Sequence, residues 1–408
     1  MDSKTNIESN SYPETLKAAA EILKNAQELH QASPQRRLEL IYEMLMRAER
    51  NLHLENNLQD KANGFYPRSI GTASGNLQVL VPRDRDGDFR PRILPPPFIR
   101  DSQERLNLLQ ALFSSSYSPA SLRHTLSELG MHYSPDELTT LKDEFLAEFE
   151  SWSSRELPSD MVAIYIDAYH TQLKDKNRIS KVAIYSVLGV DFHGQKDLLG
   201  VYVCPGSENK EFWLRILNNL IHRGLLRLLF VISDDFSGLT EAVATLFSKA
   251  HHQLCFIHMQ RNIRRNMGRE DAATFNHSLS QIKLETTFDN GMTRFDKLLE
   301  NYQKKYPIYV KYLQQKASHY FHFLNLPQEL RRYFYTTNSA ESFNSLLEKM
   351  RLRLGGFFQS DNALKLNVWI TYQKLRDHKW KNGINHVKAN LYSLQQNFAQ
   401  IYGQQPKP

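Results

Sequence analysis

Cysteine is nearly absent: Cys204 and Cys255 are the only two among 408 residues. Two thiols exclude a disulfide scaffold and a four-cysteine zinc site, and they fit a reducing compartment. No stretch approaches the roughly 20 consecutive apolar residues of a membrane span, so no membrane partner is expected. Met1 to Asn10 is polar and contains acids, unlike a secretory signal. These absences make the cytoplasm the expected location. There is no internal repeat and no low-complexity block. What is present is ordinary globular material: 41% hydrophobic and 23% charged residues exclude disorder over the full length. At roughly 100–200 residues per domain the chain holds two to four domains. Lys and Arg number 51 against 44 Asp and Glu, a net charge of +7, which admits nucleic acid as a partner without requiring it.

Helical apolar spacing runs from Thr15 to Glu28 and from Gln35 to Leu52, with Pro34 at a helix start where proline is tolerated. A Gly/Pro-punctuated segment, Gly64 to Pro97, follows. Its centre, Leu77 to Val81, alternates like a strand, and Pro95 to Pro97 closes it as a stiff linker. Three short helices are expected at Gln103–Ser114, Pro119–Leu129 and Pro135–Glu148, with Ser118 and Ser134 as caps. They suit a helix-turn-helix, and equally a small bundle that only packs. From Met161 the pattern changes. Met161–Ile166, Lys181–Val190 and Leu198–Val203 predict three antiparallel strands. A helix at Phe212–Arg223, a buried strand at Leu225–Ile232, a helix at Gly238–Lys249, a strand at Gln253–Ile257 and a basic helix at His258–Met267 follow. The order β-β-β-α-β-α-β-α is that of a ribonuclease-H-like mixed sheet. Residues 270–332 read as helical and rich in Tyr and Phe, and Asn338–Leu354 as a further helix. The resulting division is an N-terminal helical region (1–60), a β segment and linker (61–100), a helix-turn-helix-like region (101–155), the first part of an α/β core (156–268), an all-α insertion (269–334) and the second part of the core with C-terminal helices (335–400).

Asp167 ends the first apolar strand and Asp234 the buried one. If those strands are parallel neighbours, the two acids meet at one sheet edge, where ligands collect. Carboxylates that close repel unless a cation lies between them, and an all-oxygen site suits Mg²⁺ or Mn²⁺. Two such ions can activate water and stabilise a leaving oxygen in phosphodiester chemistry. Asp235 stands beside Asp234 and is an alternative ligand; the alternation Leu228, Phe230, Ile232 favours Asp234. Glu341 is the candidate third acid. It also stands three residues after Asn338, the spacing of a capping box, and opposite the stripe Phe343, Leu346, Leu347, Met350 and Leu354, so a solvated capping role stays open.

Arg261, Arg264, Arg265 and Arg269 form a basic run suited to phosphate, or a solvated helix face. Arg351 and Arg353 lie downstream of Glu341 and suit the same DNA. Cys255-x₂-His258 has only Cys204, His251 and His252 as evident further zinc ligands; a buried, hydrogen-bonded pair supporting the site edge is the preferred reading. The run Asp84-Arg-Asp-Gly-Asp88 imitates a calcium loop, but its twelfth position is Pro95, which excludes that assignment.

Taken in order, these segments resemble the Mutator-like DDE transposases of bacterial insertion sequences. The matching stretches are Asn63-Gly-Phe-Tyr-Pro-Arg68 with Thr72 and Gly75, Val81 to Phe89, Ser118 to Leu126 with Ser134-Pro135, and Ile166-Asp167-Ala-Tyr169. They continue with Glu208 to Trp213 and Arg223-Gly224, Ser233-Asp234 with Gly238-Leu239, Cys255-Phe-Ile-His258 with Arg261-Asn262, Thr337 to Ser342 with Asn344, and then Gly356-Phe357 and Ala363-Leu364. The resemblance implies a ribonuclease-H-like core with a helical insertion before the glutamate, and Asp167, Asp234 and Glu341 as catalytic metal ligands for two ions. It also implies binding to terminal inverted repeats of double-stranded DNA, cleavage to a 3′-OH and strand transfer, carried out by at least a dimer associated with the nucleoid. A catalytically silent DNA-binding derivative is the competing expectation; a two-carboxylate glycosidase explains neither the basic excess nor the motif order. Two departures stand out. Asp235 takes a place usually held by a small residue. Trp152, Trp213, Trp369 and Trp380 all lie outside residues 235–340, where related transposases carry a base-stacking tryptophan.

Overall fold

The computed structural model describes residues 26, 28–96, 101–115, 119–175, 178–204 and 206–407. Ser118, and all but residues 26 and 28 of the expected first helix, lie outside them. The chain forms two compact units, Met1–Leu141 and Lys142–Pro408.

In the first unit, helix α1 (Pro34–Asn56) starts at Ser33, whose hydroxyl accepts the Arg36 N–H at 3.3 Å. It packs on a hairpin of β1 (Ala62–Thr72) and β2 (Gly75–Asp84). The core beneath is Met46, Ile70, Leu77, Val79, Val81 and Leu94. Two buried glutamates on α1, one turn apart, face the strand: Glu39 accepts from the Gln78 N–H at 2.9 Å and Glu43 from the Leu80 N–H at 3.1 Å. They satisfy donors that a two-stranded sheet leaves unpaired along its edge. Within the expected β segment the sequence reading placed a strand only at Leu77–Val81; β1 carries Pro67, which disfavours a strand. It is tolerated here, opposite Leu80, because each strand of a two-stranded sheet has a free edge. Three helices follow: α2 (Gln103–Ser115), α3 (Pro119–Glu128) and α4 (Pro135–Ser154), the last continuing from Lys142 as part of the second unit. Ser134 and Glu137 cap α4 reciprocally, at 2.8 and 3.2 Å, which explains one of the acids in its first turn.

The second unit is a mixed α/β fold around a five-stranded mixed sheet. Its elements are β3 (Asp160–Asp175), β4 (Arg178–Val190), β5 (Lys196–Cys204), α5 (Lys210–His222), β6 (Arg227–Ser233), α6 (Leu239–Leu246), β7 (His251–Leu254) and α7 (Phe256–Asn266). The strand order is β5-β4-β3-β6-β7, antiparallel through β5, β4 and β3 and parallel through β3, β6 and β7. From α7 the described residues run through helices alone: α8 (Arg269–Ile282), α9 (Phe288–Tyr302), α10 (Pro307–Gln315), α11 (Ala317–Phe321) and α12 (Gln328–Phe334), with a short 3₁₀ turn before α12. The chain then returns through α13 (Asn338–Arg353), α14 (Asp361–Lys374), α15 (Asn385–Ala389) and α16 (Leu391–Tyr402). Both sheet faces are covered. Ile164, Ile166, Tyr185 and Val231 pack with Trp213 and Leu217 of α5 on one side. Tyr165, Phe230 and Ile232 pack with Phe256, Phe334 and Phe343 on the other. Burial on two faces is why β6 reads as one apolar run instead of an alternation. All four tryptophans are buried in these cores.

β3 and β6 are locked at their start by an ion pair. Arg227 donates to both oxygens of Asp160, at 2.6 and 2.5 Å, and the Asp160 side chain is wholly buried. Asp160→Asn would leave a partly buried guanidinium unpaired and is expected to lower unfolding stability by about 3–5 kcal/mol. The apolar double variant Asp160→Leu/Arg227→Met is expected to cost less than the single change. Urea denaturation of the two variants checks this ordering.

Candidate metal centre

The parallel register of β3 and β6 ends on the pair Ile166 and Ser233. The next residues are Asp167 and Asp234, so neighbouring strands deliver two carboxylates to the same edge. Glu341 arrives from α13. Its helix is capped at Thr337, whose hydroxyl reaches the Cys255 sulfur at 3.7 Å, and it is anchored by the buried Phe343 and Leu347. One turn after Glu341, Asn344 donates to Asp167 Oδ2 at 2.7 Å and accepts from the Ser186 hydroxyl at 3.1 Å. Ser186 is the β4 register partner of Asp167. The asparagine therefore pins α13 to two strands and orients the Asp167 carboxylate.

Asp167 feels the other two acids. The Asp167 carboxyl is pushed up to about 7, first by burial and next by the charge of Asp234; the bond from Asn344 opposes this and Glu341 adds to it. The capping-box reading of Glu341 does not hold, because the cap is Thr337 rather than Asn338 and makes no side-chain capping bond. Asp235 is accounted for as well. It accepts from the Tyr312 hydroxyl and pairs with the Lys316 ammonium, both from the helical segment after β7. Both oxygens of Asp235 are thus engaged away from Asp167.

Cationic groups line the same edge. His258 Nδ1 forms an ion pair with Asp234 Oδ1. The imidazole is pushed up to about 10 by its hydrogen-bonding contact with Asp234 first and Cys255 second, with burial opposing. Arg261 lies 2.9 Å from His258 Nε2 and 3.9 Å from Glu341 Oε1. The donor atoms of Asp234, Cys255 and His258 fall within 4.8 Å of one another. Cys204 and the pair His251 and His252 do not join them: Cys204 bonds the Gly206 carbonyl, and the histidine rings pack against His322 and His319. No fourth zinc ligand is assembled among the described residues. Arg264, Arg265 and Arg353 are exposed. Arg351 is engaged inside the chain, with Glu348 at 2.6 Å, Tyr169 at 3.0 Å and the Gly356 carbonyl. The sequence reading assigned no role to Ser186, Tyr312 or Lys316; only Asn344, three residues from Glu341 and hence on a nearby helix face, left a local signal.

The loop after Asp234 is held by close approach. Gly238 has φ +78°, and a Cβ there would meet the Lys210 backbone nitrogen at 2.3 Å. Trp213 donates to the Ser237 carbonyl at 3.1 Å. No helix among the described residues is long and apolar enough to cross a membrane.

The chain is thus a mixed α/β protein with clustered carboxylates at one edge of its sheet. The family profile described as "Transposase, Mutator family" matches residues 2–383, and the chain belongs to that family. A probable transposase for an insertion sequence element of Corynebacterium diphtheriae is 30% identical over 301 residues, 73% of this chain and 87% of that protein. The transposase for insertion sequence element ISRM3 of Rhizobium meliloti (strain 1021) is 25% identical over 369 residues, 89% and 90% of the two chains.

The raised Asp167 gives a pH signature in metal-free protein. A carboxyl held above its ordinary value favours the fold below pH ~4, and that contribution is lost as pH rises through about 7. In chelator, unfolding free energy is expected to fall by about 2–4 kcal/mol between pH 4 and pH 8 in wild type through this group. Asp167→Asn is expected to remove that decline. Urea titrations at both pH values decide the point; parallel curves for the two proteins would contradict it.

Proposed function

We propose that this chain is a metal-dependent DDE transposase that cleaves DNA at transposon ends and joins the 3′-OH ends to target DNA. The observation that carries the reading is the register of β3 and β6, which sets Asp167 beside Asp234 where α13 brings Glu341. The strand order, three antiparallel strands followed by two parallel ones, supports a ribonuclease-H-like core interrupted by an all-α insertion before Glu341.

The donor set fits hard divalent cations: three carboxylates, one raised to about 7 by burial and its acidic neighbours, need positive charge to ionise together. Asp167, Asp234 and Glu341 would hold two ions, Mg²⁺ or Mn²⁺, which supply an activated water or 3′-OH and charge stabilisation at the leaving oxygen. The chain's own residues do the rest. Asn344 holds Asp167 in one rotamer. His258 and Cys255 support Asp234 from behind. The Tyr312 and Lys316 clamp keeps Asp235 from competing. Arg264, Arg265 and Arg353 contact phosphates, while Arg351 braces α13 against β3. Double-stranded DNA is the partner, read in part by residues 101–155, and two ends call for at least a homodimer. Tyr306, Tyr309 and Tyr312 line an open cleft of about 660 Å³ beside α7 and offer ring faces for an unpaired base.

The test is cleavage and strand transfer on DNA carrying the element's ends. Asp167→Asn, Asp234→Asn and Glu341→Gln are each expected to lower the rate by at least about 10³-fold, and chelator to abolish it. Asp235→Asn is expected to stay within about tenfold of wild type, because its oxygens face the insertion. Cleavage by Asp167→Asn at the wild-type rate would sink the assignment; DNA binding without metal-dependent cleavage by wild type would make the chain a silent derivative.

Phosphate contacts predict a salt signature. Arg264→Ala and Arg265→Ala are each expected to weaken DNA binding uniformly across sequences and to lower the slope of log K against log salt by about 1. Fluorescence anisotropy from 50 to 200 mM salt measures it.

A further inference from the structure

We propose a second metal site, in the first unit and separate from the carboxylate edge: His53, Asp60 and Asp84 bind one transition-metal dication, zinc or a close relative, as a structural staple. The three residues come from the last turn of α1, the turn that follows it and the end of β2. Their donor atoms lie within 4.8 Å of one another. His53 Nε2 is 4.0 Å from Asp60 Oδ2 and 3.9 Å from Asp84 Oδ2. Those gaps are too long for hydrogen bonds. Tetrahedral zinc ligands at about 2 Å from the ion stand about 3.3 Å apart, so His53 closes on both carboxylates with a shift of about 0.7 Å.

Both carboxylates are fixed before any ion arrives. Asp84 accepts the backbone N–H groups of Gly87, Asp88 and Phe89 at 2.9–3.1 Å. Asp60 Oδ1 accepts those of Lys61, Arg85 and Asp86 at 2.7–3.3 Å. The other oxygen, Asp60 Oδ2, is buried and has no hydrogen-bond partner among the described residues, although the side chain is only 4% exposed. That oxygen faces His53. The Asn57 amide group lies 3.2 Å from the same His53 Nε2, and an ion would displace that exposed contact to take the ring lone pair. Two carboxylate oxygens and an imidazole nitrogen therefore converge on one small volume, and burying the unpartnered Asp60 Oδ2 is costly. A cation resolves the convergence. An imidazole among the ligands selects a transition metal over Mg²⁺ or Ca²⁺, and the six backbone donors orient the ligands as an outer shell. The ion would tie the C-terminal end of α1 to the end of the hairpin. The calcium-loop spacing of Asp84 to Asp88 misleads: Asp84 takes part, but with partners outside that run.

The experiment uses full-length protein carrying Asp167→Asn, Asp234→Asn and His258→Ala, so that the carboxylate edge and its neighbour take up no ion. After chelator treatment, Zn²⁺ is added, free metal is removed and bound zinc is counted by mass spectrometry, with thermal unfolding followed in parallel. One zinc per chain and a raised Tm are expected. Adding His53→Ala or Asp60→Asn should lower zinc affinity at least 100-fold and abolish the Tm shift. Asp60→Asn keeps the acceptor that its three backbone donors need, and circular dichroism checks that the variant folds. No zinc uptake in the parent, equal uptake by both added variants, or equal binding of Mg²⁺ would each overturn the proposal.

Discussion

Mutual repulsion among carboxylates is the constraint around which the second unit is arranged. Asp167 and Asp234 stand next to each other because β3 and β6 are paired in parallel, and that pairing begins with a buried ion pair and continues through apolar residues on both faces. The fold therefore supplies the stability that the acidic edge subtracts. His258, Arg261 and Lys316 moderate the edge from three directions, and each is aimed at a different acid. A site of this kind is poor in energy and rich in binding potential, the usual relation between function and stability.

Much of the second unit was legible in the sequence because its signals are local. β6 is one apolar run, β3 and β4 are β-rich stretches, and the helices after each parallel strand carry amphipathic spacing. The parallel pairing of the first and fourth strands was the condition on which the meeting of Asp167 and Asp234 rested, and the register of β3 and β6 meets it. What was not legible is set by contacts distant in sequence. Glu341 faces away from the apolar stripe of its own helix, so periodicity alone marks it as solvated. Its position is decided by Asn344 reaching Asp167 and by Thr337 reaching Cys255. Asp235 is engaged by Tyr312 and Lys316, which no local pattern connects to it.

The first unit was less readable for a related reason. β1 carries Pro67, and the strand survives because it belongs to a two-stranded sheet. α1 buries Glu39 and Glu43, residues that any hydropathy pattern assigns to solvent. They serve backbone donors of β2, and backbone demand is invisible in side-chain patterning. His53, Asp60 and Asp84 are hidden in the same way: three separate segments, each unremarkable alone, share one small volume.

The bond between Asn344 and Asp167 spans 177 residues of sequence. A ribosome releases the strands of the sheet well before it releases the helix that carries Glu341, so the acidic edge gains its third member last. Closure across so long a loop is entropically costly and late in folding. A nascent or truncated chain without α13 thus lacks both Glu341 and the side chains that cover one face of the sheet, so the order of translation itself keeps an unfinished chain from holding all three acids.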